Sequence, residues 1–591
     1  MNKVKHILNN PILVLSLISI FGLYWLFFQF DYSNPNSIAG DGVGYYQYLP
    51  NTFINNNLDS QTPDKRFFNE VNQKGVNKYY AGTAVSMSPS FFLGHGLAYI
   101  FDIEQNGYSW IYHWAISFSG LLFLLAGVLF LIKFLKLLEL DGIIISVTIL
   151  LLLFGTNLFS YTFLMPSMSH VYSFCWVTGF LFFIKSFSVT QKNKHLYLAA
   201  FFLGMIILVR PINGIIAFAL PFLFSSKTYF FEFIKKTING RKLLISLIIL
   251  FSILFLQSIF WYLQCGQWWV WSYGNEGFEF TNPYWNEFLF GFRKGTLIYT
   301  PMLWLSIAGL RILIRKEKFR GISLLLFFVV LVYLLSSWWN WYYGPSFGQR
   351  PLVEFYGLSA FLIAYLFQHL INKKSQIIVG SLAIIFVFLN LFQTYQYQKN
   401  ILSSWDMNWN KYQYSFLKAG DQYRNVLGGN NDIMLYKARV DTVFSKTIEP
   451  IKISEGLEIG RVFVQGNSSI INYKESEFNF ALTISVNDNF ISERGIYILT
   501  ELDIMDFEIS HKNEALFVVD ISDSTGNNYH YYTFPIRNTP PRIKEIWKKE
   551  RYSIEVPEVQ NSTDRIKLYI WNKEQENFWI KDLKIDIITI D

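Results

Sequence analysis

The most restrictive feature of this sequence is a series of apolar blocks, each about 20 residues long, that ends near Gln393. A helix of about 20 apolar residues is long enough to cross the roughly 30 Å hydrocarbon core of a membrane. Residues 395–591 instead have the mixed composition of a water-exposed domain. The sequence therefore predicts an α-helical membrane bundle followed by a domain in water.

The loops between the blocks differ in positive charge, and this difference predicts their sidedness. One alternating set of short loops contains nineteen Lys and Arg residues and the other contains four. The positive-inside rule places the first set in the cytoplasm, together with the N-terminus, and the C-terminal domain on the opposite side. The eleven candidate spans are 11–30, 110–132, 142–162, 168–187, 195–209, 212–226, 243–263, 296–313, 320–337, 353–371 and 376–394.

Two of these spans have alternatives. The first follows Lys3 and Lys5 and is too long for a cleavable signal peptide, so we interpret it as an uncleaved anchor. Pro211 divides residues 195–226 into two short segments, which fit either two spans or one re-entrant hairpin with the same sidedness.

Charge and cysteine content exclude other classes of protein. Residues 1–394 contain 27 Lys and Arg against 15 Asp and Glu, whereas residues 395–591 contain 23 against 28. A nucleic-acid-binding domain needs a basic face, but the water-exposed part of this chain is acidic, so we expect no nucleic-acid partner. The only cysteines, Cys175 and Cys265, are too few for a disulfide framework.

The domain boundaries follow from these patterns. We predict a membrane domain over 1–394, with a long extracytoplasmic loop at 31–109, a linker with a short helix at 395–457 and a jelly-roll-like β-sandwich at 458–591. The sandwich is indicated by short runs of alternating apolar and polar residues between turn-forming clusters. Residues 572–587 resemble the closing hairpin of jelly-roll domains that often bind carbohydrate. Sugar binding and partner docking remain open for this domain.

Asp41 is the first candidate for chemistry. It lies in the glycine-rich stretch 40–44, which lacks the preceding strand and the following Lys-Ser/Thr of a nucleotide phosphate loop. Tyr45 and Tyr46 follow at a spacing that suits a helix in the membrane interface. A carboxylate at this position could accept a proton from an incoming hydroxyl. The alternative is that Asp41 caps the N-terminus of a short helix.

Four cations on the cation-poor side form a second candidate group. They lie at the ends of spans, and a cation at the hydrocarbon centre costs about 2.5–3.5 kcal/mol on insertion scales, so each should face a cavity or the interface. Such a set suits an anionic group such as a lipid-linked phosphate. The alternative is snorkelling to ordinary phospholipid. The four residues are Arg210, Arg293, Lys294 and Arg350.

Histidines and tryptophans give weaker signals. His95 and His170 have no metal-ligand spacing to another His or Cys, so we predict no metal site and interpret both as hydrogen-bonded structural histidines. The Trp-rich stretches 268–271 and 338–341 are typical of interfacial belts, although indole faces also suit sugar rings.

Taken in order, these segments resemble the GT-C superfamily of membrane glycosyltransferases, which includes protein O-mannosyltransferases and the aminoarabinose transferases of lipid A. The resemblance covers about residues 1–400. Its motifs are Asp41 before an aromatic helix, Lys78-Tyr79-Tyr80-Ala81-Gly82, Ser169-His170, Arg210-Pro211-Ile212-Asn213, Arg293-Lys294-Gly295 with Tyr299-Thr300-Pro301, and Ser346-Phe347-Gly348-Gln349-Arg350.

The resemblance implies a reaction and a location. A polyprenyl-phosphate-linked sugar would be the donor, and Asp41 would deprotonate an acceptor hydroxyl that attacks the anomeric carbon with inversion. The acceptor would be a glycan, a lipid or a protein, and the chain would lie in a bacterial inner membrane. No cofactor is implied beyond this donor, although a divalent metal ion is compatible with it. By position, the substrate-binding candidates are Tyr45, Tyr46, Lys78, His170, Arg210, Arg293, Lys294, Tyr299, Gln349 and Arg350.

One departure from the family pattern concerns the catalytic acids. Better-known members carry an Asp-Glu pair in the first loop, whereas Gly42 follows Asp41 here. A second acid would have to come from Asp64, Glu70 or Asp102, or be dispensable.

Two other functions remain open. A transporter or flippase of lipid-linked glycans should show internal repeats and acidic residues deep inside spans, and the sequence shows no convincing repeat. A glycan polymerase or ligase would use similar arginine-rich outer loops and is harder to separate from a transferase.

Overall fold

In the computed structural model the chain divides into two compact units. The first contains residues up to Phe290, Gly295–Tyr343 and Phe347–Leu391, and the second contains Gly291–Lys294, Gly344–Ser346 and the chain from Phe392 onward. The structure describes residues 8–590 except 59–66, 238–239, 275, 405–406, 421–422, 425–426, 428–439, 449–456, 460–461, 466–467, 475, 488–489, 491–495, 509–514, 538–542, 557–558 and 560.

The first unit is helical apart from one small hairpin, β1 (Phe68–Val71) with β2 (Lys74–Asn77). Its helices are α1 (Pro11–Gln29), α2 (Asp41–Tyr46), α3 (Tyr48–Phe53), α4 (Gly82–Ile100), α5 (Trp110–Leu137), α6 (Gly142–Gly155), α7 (Leu158–Phe163), α8 (His170–Thr190), α9 (Asn193–Val209), α10 (Pro211–Leu223), α11 (Lys227–Thr237), α12 (Gly240–Cys265), α13 (Trp285–Phe290), α14 (Thr296–Tyr299), α15 (Leu303–Lys316), α16 (Lys318–Ser336), α17 (Arg350–Gln368) and α18 (Lys373–Gln398), which continues into the second unit.

A helix stands at each of the eleven predicted spans. Seven helices of the described chain are long and apolar enough to cross a membrane, namely α1, α5, α8, α12, α16, α17 and α18. Three of the others, α6, α9 and α10, are apolar but shorter. The last, α15, is a 14-residue helix whose final turn carries Arg315 and Lys316. The chain is therefore an integral membrane protein with a helical bundle.

Helix α4 lies within the segment 31–109 that the sequence predicts to be a loop. It spans 19 residues and packs so closely on its neighbours that a Cβ at Gly82 would lie 2.4 Å from the backbone of Leu208 and Val209. A Cβ at Gly94 would lie 2.8 Å from that of Ala115 in α5. Serines and Pro89 within α4 lower its hydropathy, and this hides the helix from a search for apolar blocks.

The two short segments within 195–226 are separate helices. Proline has no backbone N–H and disfavours helical geometry in the residue before it. Accordingly, Arg210 is extended (φ −153°, ψ 113°) between α9 and the 3₁₀-helical α10.

Because successive helices reverse direction, chemically important residues collect at two ends of the bundle. His170 begins α8, Arg210 ends α9 and Arg350 begins α17, and these residues share one end. Lys185 lies near the end of α8, Leu223 ends α10 and Arg320 lies near the start of α16, at the opposite end.

The second unit contains the short helix α19 (Trp409–Ser415) and two antiparallel sheets. The strands are β3 (Val440–Ile448), β4 (Leu457–Ile459), β5 (Val462–Gln465), β6 (Ser468–Asn472), β7 (Phe478–Ser485), β8 (Ile496–Asp506), β9 (Ala515–Ser522), β10 (Asn528–Pro535), β11 (Lys548–Val556), β12 (Arg565–Asn572) and β13 (Phe578–Ile590). One sheet has strand order β10-β9-β12-β7-β4 and the other β11-β8-β13-β6-β5, with β3 also paired to β13.

Alternate residues of both sheets form one core, as expected for a β-sandwich. Phe517, Val519 and Ile521 of β9 are fully buried, and so are Ile585 and Ile587 of β13. The sequence-based prediction of a sandwich is confirmed, and the first strand begins at Val440, before the predicted boundary.

The predicted closing hairpin at 572–587 is wrong. β12 pairs with β7 and β9 in one sheet, whereas β13 pairs with β3, β6 and β8 in the other. The intervening turn therefore crosses between sheets, because each strand buries its apolar face against the opposite sheet and not against its neighbour in sequence.

Candidate active site

Two glycines place Asp41 at the start of α2. Gly40, the residue before the helix, has φ +56°, a conformation that L side chains rarely adopt. A Cβ at Gly42 would lie 1.9 Å from the Ser167 hydroxyl oxygen, so only glycine lets α2 approach the segment that leads into α8. The glycine-rich sequence around Asp41 is thus explained by close packing.

Asp41 forms an ion pair with Arg350. Its Oδ2 lies 2.5 Å from Arg350 Nη2, and the two side chains are 25% and 11% exposed. Burial raises the pKa of Asp41, but the charges of Arg350 and Lys78 and hydrogen bonds from Arg350 and Tyr79 outweigh it, so the pKa lies below its ordinary value. Asp41 is the first residue of α2, and the N-cap position is Gly40. The Asp41 carboxylate contacts Arg350 and does not cap the helix, so the structure does not support the helix-cap alternative.

Lys78 directly follows β2, and its charge acts on Asp41. Its Nζ is 3.0 Å from Glu276 Oε1, and both side chains are about three-quarters buried (20% and 26% exposed). The buried Asn77 fixes this segment by donating to the carbonyl of Gly44 in α2 at 2.8 Å. Asp41 and Lys78 are thereby held on adjoining pieces of backbone.

A second ion pair centres on Glu354, which the sequence analysis did not single out. Glu354 Oε1 lies 3.1 Å from both Arg210 Nη1 and His170 Nδ1, and the Glu354 side chain has no exposed surface. Its other oxygen, Oε2, is buried with no hydrogen-bond partner among the described residues. Arg210 and His170 thus meet at one acid, although they come from different helices. No sequence motif points to Glu354, because a single acid four residues after Arg350 forms no distinctive pattern.

Tyr45 connects the two ion pairs. Its ring packs against that of Tyr79, with centroids 4.3 Å apart. Burial raises the pKa of Tyr45, and the charges of Arg210, Asp41 and Arg350 all act on its phenol. Asp41, Lys78, Arg350, Arg210 and Glu354 therefore belong to one site with an aromatic wall.

The remaining candidates of the first unit lie in the protein interior. Tyr46 is fully buried, and its hydroxyl donates to the Gly107 carbonyl at 2.6 Å. Gln349 is buried and donates to the Trp341 carbonyl at 3.3 Å. Tyr299 is buried. The contacts of Tyr46 and Gln349 indicate packing and support of the backbone.

Arg293 and Lys294 belong to the second unit. Both are buried, and Lys294 Nζ donates to the carbonyls of Ser346 and Ser404, which are part of the same unit. These contacts give Lys294 a structural role in fixing two loop segments.

The acids proposed as partners for Asp41 are placed differently. Asp64 lies outside the described residues, and Glu70 and Asp102 are exposed. The acid that the structure brings to the site is Glu354. In the described parts of the chain, no group of three or more His, Cys, Asp or Glu residues is arranged to hold a metal ion.

No family model matches the sequence, and no curated protein matches it. Two solved structures are similar in backbone. The archaeal oligosaccharyltransferase AglB from Archaeoglobus fulgidus, determined with an inhibitory peptide and a dolichol-phosphate, has a TM-score of 0.36 and 11% identity over 68% of this chain and 57% of that one. The arabinosyltransferase EmbB from Mycobacterium smegmatis has a TM-score of 0.32 and 9% identity over 98% of this chain and 64% of that one.

This chain covers less than two thirds of the length of either solved structure. At these TM-scores the likeness is limited to the coarse course of the backbone.

Proposed function

We propose that this chain is an inverting glycosyltransferase that moves a sugar from a polyprenyl-phosphate donor to an acceptor hydroxyl, with Asp41 as the base. The observation that carries the proposal is the Asp41–Arg350 pair, 2.5 Å apart, beside Lys78 and the buried Arg210–Glu354 pair. A base and several cations therefore share one site. By the loop charges, this site and the C-terminal domain face the extracytoplasmic side. The family resemblance implies a bacterial inner membrane as the location.

The reaction needs a base for the acceptor and positive charge for the leaving group. Asp41 accepts the proton of the acceptor hydroxyl as its oxygen attacks the anomeric carbon from the face opposite the phosphate. The bond from that carbon to the phosphate oxygen breaks, and the phosphate leaves with its negative charge. Cations placed beside the leaving oxygen stabilise the transition state, in which that charge develops.

The ion pair suggests how donor binding prepares the base. While Arg350 holds Asp41, the pKa of the carboxyl is low and its oxygen is a weak proton acceptor. A phosphate competes for the same guanidinium, which suits bidentate contacts. Once Arg350 turns to the donor, Asp41 becomes a stronger base next to the sugar.

The alternatives of a flippase or a glycan ligase give different expectations. In the described chain, no acidic side chain lies in the central part of any of the seven long apolar helices, and Glu354 is only the fifth residue of α17. A transport pathway would place acids deeper in the membrane. A ligase or polymerase would use a similar cation cluster, so only activity separates it from a transferase.

The experiment is sugar transfer by purified protein from a set of radiolabelled polyprenyl-phosphate sugars, with donor binding measured separately. Transfer from at least one donor, lost in Asp41→Asn, supports the proposal. Folded protein that neither binds nor consumes any lipid-linked donor contradicts it and favours an assembly factor or transporter.

The pH dependence tests the role of Arg350. The acidic limb of kcat/KM reports the pKa of the base in the free enzyme. Arg350 lowers the pKa of Asp41, so Asp41 stays ionised in mildly acidic solution. In Arg350→Gln the positive charge that offsets the effect of burial is lost, so the pKa of Asp41 rises. The acidic limb of the kcat/KM profile should therefore move toward neutral pH.

The matched control is Arg350→Lys, which keeps the positive charge and should leave the acidic limb near its wild-type position. A limb that is identical in wild type and Arg350→Gln would show that Asp41 is not the titrating base.

A further inference from the structure

A cavity of about 510 Å³ lies at the end of the bundle opposite the candidate active site. The ends of α5, α8 and α10, the start of α16, and α11 surround it. Lys185, on its wall, follows His170 by 15 residues in the same helix, which corresponds to about 22 Å along the axis. The loop charges assign this end to the cytoplasm. The cavity is therefore separate from the proposed transferase site.

Three cations line this cavity, and one of them has an unused donor. Arg320 Nε donates to the Phe222 carbonyl at 2.9 Å and Nη1 lies 2.6 Å from Glu317 Oε2. Arg320 Nη2 is buried with no hydrogen-bond partner among the described residues. Lys185 Nζ donates to the Leu223 carbonyl at 3.0 Å, and the third cation, Lys236, is exposed. An oxygen anion in the cavity would meet several donors.

Two carboxylates also line the cavity. Glu139 and Glu232 are exposed residues of its wall. They leave the cavity mixed in charge, with acceptors as well as donors. A ligand that matches it carries a phosphate and, a few atoms away, an N–H or O–H donor.

Helix α11 indicates that this ligand is a lipid. Phe233 on one face of α11 is buried against Phe187 and Phe224, with ring centroids 5.8 Å and 4.8 Å away. Tyr229 and Phe231 are more than half exposed. A helix with exposed aromatic residues and basic residues is typical of the plane of the membrane interface. One wall of the cavity thus lies at the level of phospholipid headgroups.

We propose that this cavity binds the headgroup of a phospholipid that carries both a phosphate and a hydrogen-bond donor, such as phosphatidylethanolamine. Lys185, Lys236 and Arg320 hold the phosphate, and Glu139 and Glu232 accept from the donor end of the headgroup. The acyl chains extend beside α11. Basic pockets between transmembrane helices at the cytoplasmic face bind the phosphate-bearing headgroups of lipids such as cardiolipin, and the two carboxylates add acceptors to such a pocket here.

The test is native mass spectrometry of the purified full-length protein titrated with phosphatidylethanolamine or phosphatidylcholine, which share a phosphate but differ in the donor. We expect tighter binding of phosphatidylethanolamine. Lys236→Gln should weaken it about fivefold, and Lys185→Gln together with Lys236→Gln about 25-fold, if each cation near the surface contributes its usual share. Lys235→Gln is the matched control, because Lys235 is exposed on the same helix outside the cavity wall.

Three outcomes overturn the proposal. Equal binding of the two lipids would show that the carboxylates do not select a donor. Equal weakening by Lys235→Gln and Lys236→Gln would show that general surface charge, and not the cavity, binds the lipid. Competition by soluble glycerophosphoethanolamine at the same concentration as the lipid would identify a free phosphate compound as the ligand. Sugar transfer is not needed for any of these measurements.

Discussion

Asp41→Asn is expected to lower the rate of sugar transfer by about 10²–10⁴-fold, the usual contribution of a general base, while donor binding is maintained. The amide has the shape of the carboxylate but cannot take up the acceptor proton. It also removes the charge that competes with a phosphate for Arg350, whose Nη2 lies 2.5 Å from Asp41 in the wild type. The donor should therefore bind the variant at least as tightly as the wild type, although turnover falls.

The combination of lost turnover and retained binding separates a base from a structural acid. Asp102→Asn is the matched control, because Asp102 is an exposed acid of the same predicted loop and should leave transfer unchanged. Equilibrium binding of a radiolabelled donor and single-turnover transfer measure the two quantities. Near-normal transfer by folded Asp41→Asn would remove Asp41 from the mechanism.

Glu354→Leu should destabilise the folded bundle by about 3–5 kcal/mol, the usual effect of removing one partner from a buried ion pair. Glu354 has no exposed side-chain surface and accepts from Arg210 and His170. Without it, the Arg210 guanidinium, which is only 15% exposed, stays buried with no counter-charge. Reversible unfolding in mixed detergent micelles measures the free energy.

A second substitution tests whether the loss of stability in Glu354→Leu arises from the unpaired buried charge of Arg210. In Glu354→Leu with Arg210→Met both charges are absent, so most of the stability should return. Glu70→Gln is the control, because Glu70 is exposed and substitutions at exposed positions usually change the free energy of unfolding by less than about 0.5 kcal/mol. A Glu354→Leu variant as stable as Glu70→Gln would show that the pair with Arg210 does not stabilise the bundle.

The positions of the apolar helices followed from the sequence because the bilayer imposes a length on each of them. Every predicted span coincides with a helix, and the alternating runs of the C-terminal domain coincide with strands of a sandwich. Helix α4 carries no clear hydropathy signal because glycines, serines and Pro89 interrupt its apolar residues, and two of its glycines are needed for close packing on neighbouring helices. The prediction of a hairpin at 572–587 is wrong for a different reason. Alternation of apolar and polar residues shows that a strand has a buried face but not which sheet contains that strand.

The sequence indicates which charged residues belong to the candidate site, but it does not indicate which of them form ion pairs with one another. Asp41, Lys78, Arg210 and Arg350 are visible as charged residues at the ends of apolar segments. Their partners are far away in sequence, because Asp41 and Arg350 are 309 positions apart and Arg210 and Glu354 are 144 positions apart. Glu354 was overlooked because a single acid near a helix start has no distinctive pattern.

The sequence by itself determined that the chain is a membrane protein, where its most apolar helices lie, and which end of the bundle has few cations. These properties depend on hydropathy and charge counted along the chain, and they need no knowledge of contacts. Only the tertiary structure decided that Asp41 faces Arg350, that Glu354 joins Arg210 to His170, and that Lys185 and Arg320 border a cavity at the other end. Ion pairs and cavities arise where helices meet, and the packing of side chains from distant segments determines those meeting points.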